Sequence, residues 1–155
     1  MLKIGDKAPL NINVLDQNGK EISLSKLVGR PAVIYFYPKD NTPGCTKEAC
    51  SYRDFNNELT KLGVQVIGVS ADSPKSHQNF AQKHNLNFDL WSDKNRELIS
   101  AFGAVGQKSM FGKVYMGILR ITFAIDKAGK IIMVWPKVDA TKNASEVLDF
   151  FKSLS

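Results

Sequence analysis

The run Pro31–Pro38 most constrains the fold of this 155-residue chain. Between its two prolines stand only alanine, β-branched and aromatic residues, a pattern typical of a strand buried on both faces of a sheet. Shortly afterwards, Thr42 and Pro43 form a helix start, because threonine is a favourable N-cap and proline suits the first helical position. The chain is therefore expected to place a buried strand directly before a helix that ends at Gly63.

The remaining sequence alternates strands and helices. A hairpin is predicted from Ile12–Leu15 and Glu21–Leu24, since Asn18-Gly19 between them tolerates the positive φ angles of a tight turn. Further on we predict a strand over 64–70, a helix over 73–85, a strand over 90–92, a helix over 95–102, strands over 119–125 and 130–135, and a helix over 144–154. Gly103–Gly117 has no clear period and is interpreted as a loop.

This order of elements predicts the fold class. It indicates an α/β fold in which a central mixed β-sheet is flanked by helices, with an N-terminal β-hairpin extension. A thioredoxin-like architecture fits this description. No repeat or linker divides the sequence, so a single domain over residues 1–155 is expected.

Two cysteines, Cys45 and Cys50, are the whole thiol inventory. In a reducing compartment, two close cysteines indicate redox chemistry or metal binding more often than a structural staple. The only histidines, His77 and His84, lie about thirty residues downstream, so a zinc site would have to borrow carboxylates. Redox chemistry without a metal or other cofactor is therefore expected, and both histidines are predicted on an exposed helix face.

Cys45 lies three residues after Thr42, in the first turn of the predicted helix. Free backbone N–H groups and the positive end of the helix dipole favour a thiolate at this position. The thiolate is the nucleophilic form of cysteine, so Cys45 is the predicted reactive residue.

The surrounding segment carries a resemblance to a known family. Residues 37–50 read Tyr-Pro-Lys-Asp-Asn-Thr-Pro-Gly-Cys-Thr-Lys-Glu-Ala-Cys, which closely resembles the Q-type branch of the peroxiredoxins, also called bacterioferritin comigratory proteins. The core of the signature is Pro38-x-x-x-Thr42-x-x-Cys45. The resemblance continues through 5–9, 68–72, 88–93, 112–120 and 123–126. It implies a thiol-dependent peroxidase of antioxidant defence that reduces hydrogen peroxide and organic hydroperoxides to water and alcohols.

The resemblance also implies catalytic roles. Cys45 matches the peroxidatic cysteine, which becomes a sulfenic acid, and Cys50 matches the resolving cysteine of those members that carry it five residues on. Thr42 matches the hydroxyl that orients the peroxide. Arg120 matches the cation beside the thiolate. The resulting intramolecular disulfide would be reduced by thioredoxin or a similar dithiol protein.

Three further residues match supporting positions of the family. Pro38 matches the residue that shields the site from water, and Gly44 belongs to the substrate pocket. Glu48 matches a glutamate that helps to hold the arginine. A cation is needed on physical grounds as well, because complete ionisation of a thiol gains only roughly thirty-fold at pH 7 and breaking O–O builds charge on the departing oxygen.

Helix geometry limits how the two cysteines can react. Positions i and i+5 of a helix are about 140° apart and roughly 7.5 Å apart along the axis, which places their Cα atoms about 8–9 Å apart. A disulfide rarely tolerates more than about 7 Å. We therefore expect the start of the helix to unwind before Cys45 and Cys50 can bond.

Three alternatives remain open on the sequence. Cys50 could be a structural core residue, in which case an external thiol would resolve the sulfenic acid. A general thiol–disulfide oxidoreductase is disfavoured, because thioredoxins use Cys-x-x-Cys and four residues intervene here. A peroxide sensor or holdase, with little turnover, is the third.

Charge and hydropathy limit which kinds of binding partner are expected. The net charge is +6, but the 21 basic residues are scattered among 15 acidic ones, so no nucleic-acid partner is expected. The longest apolar runs, Ala32–Tyr37 and Val64–Val69, are far too short to span a membrane. The start of the chain shows no secretory signal, so the cytoplasm is the expected compartment. A monomer is expected from the resemblance.

Overall fold

The structure, a computed structural model, describes residues 1–155. The strands are β1 (Asn13–Leu15), β2 (Glu21–Ser23), β3 (Ala32–Phe36), β4 (Gln65–Ser70), β5 (Asp89–Ser92), β6 (Val105–Met110), β7 (Lys113–Ile118), β8 (Ile121–Ile125) and β9 (Ile131–Trp135). The helices are α1 (Pro43–Lys61), α2 (Pro74–His84), α3 (Glu97–Phe102) and α4 (Asn143–Ser153), and a 3-10 turn covers Leu24–Leu27. Outside Gly103–Gly117 the predicted elements are confirmed, with ends that differ by a residue or two.

Seven strands form one mixed sheet in the order β2-β1-β5-β4-β3-β8-β9. β3, β4 and β5 are parallel, and β8 and β9 continue the sheet in antiparallel fashion. The N-terminal hairpin joins the far edge, where Leu15 pairs with Ser92. The predicted fold class is confirmed, and β3 lies inside the sheet, as its uninterrupted apolar sequence requires.

Side chains of β3 alternate between two cores, one on each face of the sheet. Ala32, Ile34 and Phe36 lie on the side that α3 covers, which we call the α3 face. Val33, Tyr35 and Tyr37 lie on the side that α1, α2 and α4 cover, which we call the α1 face. Cys45 belongs to the α1 face.

The loop predicted for Gly103–Gly117 is wrong. β6 and β7 form an antiparallel hairpin that is a two-stranded sheet of its own. Its turn lies at Phe111 and Gly112, both with positive φ, and Phe111 is 97% exposed. A strand is recognised in sequence when apolar and polar residues alternate between a buried and an exposed face. Most residues of this hairpin are exposed on both faces, so the alternation is missing.

None of the helices combines the length and the apolar character needed to cross a membrane.

Candidate active site

Cys45 lies at the start of α1, the helix that follows β3. The helix begins at Pro43, after Thr42 in extended backbone conformation, and Cys45 in its first turn is only 1% exposed. Both thiols are free, and Cys50 is half-buried. Because one unbroken helix carries both cysteines, they are held apart in this state.

Thr42 occupies the predicted N-cap position but does not cap the helix with its side chain. Its hydroxyl donates a hydrogen bond of 2.8 Å to the carbonyl of Lys39, and no helix amide donates to it. The N–H groups of Gly44 and Cys45 consequently have no acceptor within the chain. The expectation of a side-chain cap is wrong, and its failure leaves two donors at the start of α1 for an incoming oxygen.

Arg120 brings the cation that the site needs. It follows β7 in the chain, and its Nη2 donates to Cys45 Sγ at 3.3 Å while its Nη1 donates to Glu48 Oε1 at 2.8 Å. A Cβ at position 44 would lie 3.1 Å from Nη2, so Gly44 provides the room for this approach. The structure thus brings four of the sequence-predicted site residues together: Cys45, Arg120, Glu48 and Gly44.

Glu48 completes the bridge from a fully buried position one helical turn after Cys45. Burial raises its pKa to about 7, although the charge of Arg120 and its hydrogen bond act in the opposite direction. For Arg120, burial lowers the pKa, but Glu48 and Cys45 raise it by more, so the net shift is upward. The guanidinium is therefore a fixed positive charge between a thiol and a carboxyl group.

The other predicted residues make no side-chain hydrogen bond to this cluster. Pro38 is half-buried where the chain leaves β3. Cys50 lies further along α1, on a different side of the helix from Cys45. Their assigned roles stay predictions.

Lys108, in β6, is a site residue that sequence reasoning missed. Its side chain lies over Gly117, where a Cβ would come within 2.8 Å of the lysine Cδ. Burial and the charge of Arg120 lower the pKa of Lys108, and Cys45 acts in the opposite direction. The only sequence signal for its hairpin is Gly112, which suits the positive φ of the turn.

His77 also differs from its prediction. The polar sequence of α2 predicted an exposed face, yet His77 is 0% exposed and its Nδ1 lies 2.7 Å from Asp40 Oδ2. The ligand atoms of Asp40, Asp72 and His77 lie within 4.8 Å of one another. They already serve as hydrogen-bond partners to one another and to nearby hydroxyl and amide groups, so we assign no metal there.

Comparisons with known proteins agree with this geometry. A family model described as the AhpC/TSA family matches residues 4–134. Peroxiredoxin Bcp of Bacillus subtilis is 44% identical over 154 residues, which cover 99% of this chain and 98% of the relative.

Solved structures are similar over nearly the whole chain. A Xylella fastidiosa PrxQ cysteine-to-serine mutant gives a TM-score of 0.94 at 34% identity, covering 99% of this chain and 98% of the other. A Xanthomonas campestris peroxiredoxin Q gives 0.90 at 37% identity, covering 99% and 96%. The chain belongs to the AhpC/TSA family and, within it, to the Q-type or Bcp peroxiredoxins, thiol-dependent peroxidases with a thioredoxin-like fold.

Proposed function

We propose that Cys45 is the peroxidatic cysteine of this peroxidase and Cys50 its resolving cysteine. The observation that carries the proposal is the pair of bonds from Arg120, one to Cys45 Sγ and one to the buried Glu48. A cation held by a buried carboxyl group on one side stabilises a thiolate on the other.

The first step is attack of the Cys45 thiolate on one peroxide oxygen. The S–O bond forms as the O–O bond breaks, and the departing oxygen leaves as hydroxide or alkoxide, which takes up a proton to become water or alcohol. Arg120 and the free N–H groups of Gly44 and Cys45 donate to the peroxide oxygens as negative charge develops. The Thr42 hydroxyl donates to Lys39, so its oxygen is left to accept a hydrogen bond from the peroxide O–H.

The second step joins the two cysteines. The Cys50 thiolate attacks the sulfur of the Cys45 sulfenic acid, the S–S bond forms as the S–O bond breaks, and the hydroxyl group leaves as hydroxide, which takes up a proton to become water. Because α1 keeps the two sulfur atoms apart, its first turns unwind before this step. A dithiol protein of the thioredoxin type then reduces the disulfide and itself becomes oxidised.

The remaining features of the proposal concern surroundings and partners. Pro38 limits water at the thiolate, and Gly44 keeps the pocket open to Arg120. We propose a single domain over residues 1–155 that acts as a monomer in the cytoplasm, with a hydroperoxide and a dithiol protein as partners. It uses no metal or other cofactor and binds neither nucleic acid nor a membrane.

Intact mass tests both cysteines at once. The reduced wild type, Cys45→Ser and Cys50→Ser proteins are each treated with one equivalent of hydrogen peroxide. We expect loss of two hydrogen atoms in the wild type, a trapped sulfenic acid in Cys50→Ser and no change in Cys45→Ser.

Two other outcomes have definite meanings. A stable sulfenic acid in the wild type would support Cys45 as the peroxidatic residue but would mean that Cys50 has only a structural role. Absence of rapid oxidation of Cys45 in every form would end the proposal.

A further inference from the structure

Asp40 is buried although it lies in the loop that leads to the active site. It stands two residues before Thr42 and is only 4% exposed. Its carboxyl group accepts hydrogen bonds from the Tyr37 hydroxyl at 2.6 Å and from the Ser76 hydroxyl at 2.8 Å, and it lies 2.7 Å from His77 Nδ1. Its backbone N–H donates to Asp72 Oδ2 at 2.8 Å. This one residue ties the loop to the residue after β3, to α2 and to the segment that follows β4.

The ring of His77 meets acceptors on both sides. Nδ1 faces Asp40 Oδ2, and Nε2 lies 3.1 Å from the carbonyl of Trp91. A carbonyl can only accept, so Nε2 donates to the carbonyl of Trp91. The Tyr37 hydroxyl also lies 3.4 Å from Nδ1, so Asp40, Tyr37 and His77 form one buried hydrogen-bonded cluster.

The start of α1 makes fewer side-chain hydrogen bonds than Asp40 does: the Thr42 hydroxyl bonds the carbonyl of Lys39, and Cys45 bonds Arg120. Thr42 makes no side-chain cap, and Asn41, directly after Asp40, has φ of 63°. A non-glycine residue with positive φ is uncommon, and asparagine tolerates it best. The change from a firmly held residue to a loosely held one therefore falls between Asp40 and Asn41.

The geometry points to the Asp40–His77 pair as the fixed end of the segment that unwinds. We call this pair the anchor. It is a positioning pair, because it sets the relative populations of a folded and an unwound state of the segment that carries Cys45. In the folded state the anchor holds Thr42 and Cys45 beside Arg120 for reaction with peroxide. In the unwound state the segment after Asp40 moves and Cys45 reaches Cys50. This inference rests on the proposed two-cysteine function.

The anchor makes a directional prediction for kinetics. Weakening it lowers the population of the folded site and raises that of the unwound segment, because only the folded state is stabilised by the pair. Oxidation of Cys45 then slows while disulfide formation accelerates. The sulfenic acid survives for less time, so less of it is oxidised further to sulfinic acid.

The test compares His77→Gln with the wild type by rapid mixing with hydrogen peroxide, chemical quenching and intact mass. Losing this buried hydrogen bond of the anchor is expected to slow Cys45 oxidation about tenfold and to speed disulfide formation about threefold. Sulfinic acid at high peroxide should decrease accordingly. Tyr37→Phe, which removes one donor to Asp40 and keeps the Asp40–His77 contact, should shift both rates in the same directions by a smaller factor.

The matched control is His84→Gln. His84 lies seven residues later in α2 and makes no side-chain hydrogen bond, so both rates should equal those of the wild type. Rates in His77→Gln that match the control, or that fall together in proportion, would overturn the anchor. A wild type that forms no disulfide would instead refute the proposed function, which keeps the two failures apart.

A spectroscopic readout is independent of turnover. Nitrogen-15 NMR of the reduced protein should show both ring nitrogens of His77 in hydrogen bonds that exclude rapid exchange with water. A rapidly exchanging ring N–H, as in a solvent-exposed imidazole, would contradict the buried cluster, and with it the anchor.

Discussion

The two faces of the sheet are covered by different kinds of side chain. On the α3 face, Phe36, Phe102 and Phe123 pack with ring centroids 5.0 to 5.8 Å apart. On the α1 face, Tyr35 stacks on Tyr52 at 4.6 Å. Most buried polar side chains also lie on the α1 face: Glu48, His77 and Asn143 from its helices, and Ser70, Ser92 and Thr122 by alternation along β4, β5 and β8.

This contrast indicates that one face mainly stabilises the fold and the other mainly supports the reaction of Cys45. An apolar core contributes stability in proportion to the surface that it removes from water. A buried charge costs free energy unless it is paired, and it retains a fixed orientation and a strong field when it is. The α3 face therefore acts as support, and the α1 face holds the charges that act on Cys45.

The largest expected effect is on the α3 face. Phe123→Ala removes a fully buried ring and leaves a cavity, so the free energy of unfolding should fall by about 3–5 kcal/mol. The rate of Cys45 oxidation per folded molecule should stay unchanged. Urea denaturation and stopped-flow oxidation measure the two quantities, and a loss of rate per folded molecule would show that the faces are not separable.

On the α1 face, the carboxyl group of Glu48 should make the free energy of unfolding depend on pH. Its folded pKa of about 7 lies above the ordinary value of 4.5, so the folded protein binds more protons than the unfolded chain between these values. The free energy of unfolding should consequently fall by roughly 3 kcal/mol as pH rises from about 4.5 to 7. Below pH 4.5 this contribution is fully present.

Glu48→Gln supplies the comparison for that prediction. Urea denaturation at several pH values gives the difference between variant and wild type, in which other titrating groups cancel. A pH-independent difference would contradict the buried carboxyl group as its source.

Arg120→Met should affect rate far more than stability. Removing the donor to Cys45 should lower the rate of Cys45 oxidation about 100-fold, which corresponds to about 2.7 kcal/mol of transition-state stabilisation. Arg30→Met, at an exposed position, is the matched control and should react like the wild type. Equal rates for the two variants would remove Arg120 from the site.

The smallest effect compares two stacked tyrosines. The Tyr52 hydroxyl donates to Asn143 Oδ1, whereas the Tyr35 hydroxyl is buried without a partner. Tyr52→Phe should therefore lower the free energy of unfolding by about 1 kcal/mol, and Tyr35→Phe should leave it unchanged or raise it slightly. Thermal and urea unfolding of both variants decide this, and equal losses would mean that the Tyr35 hydroxyl does have a partner.

Local patterns were enough to predict most of the fold. β3 and α1 were predictable because an apolar run, a proline and a helix start are read over a few neighbouring residues. The β6–β7 hairpin was missed because its exposed strands carry no alternation of burial. Thr42 was correctly placed at the helix start, but the sequence could not show that its hydroxyl would turn to Lys39 instead.

The site was predictable only where a family resemblance supplied the pairing. Arg120 contacts Cys45 across 75 positions of sequence, and no spacing rule connects residues at that distance. His77 was predicted to be exposed because its partner Asp40 comes from another element, 37 positions earlier. Contacts between elements depend on the sheet order, which local patterns do not contain.

The placement of both cysteines on one helix has a consequence for inhibitors. A compound that binds only the folded start of α1 lowers the unwound fraction by a factor of about 1 + [L]/Kd. It would leave the first peroxide molecule free to react if it did not fill the pocket, and would then prolong the life of the sulfenic acid. Such a compound would spare resting protein and inactivate the protein that is working, with a potency that rises with the peroxide concentration.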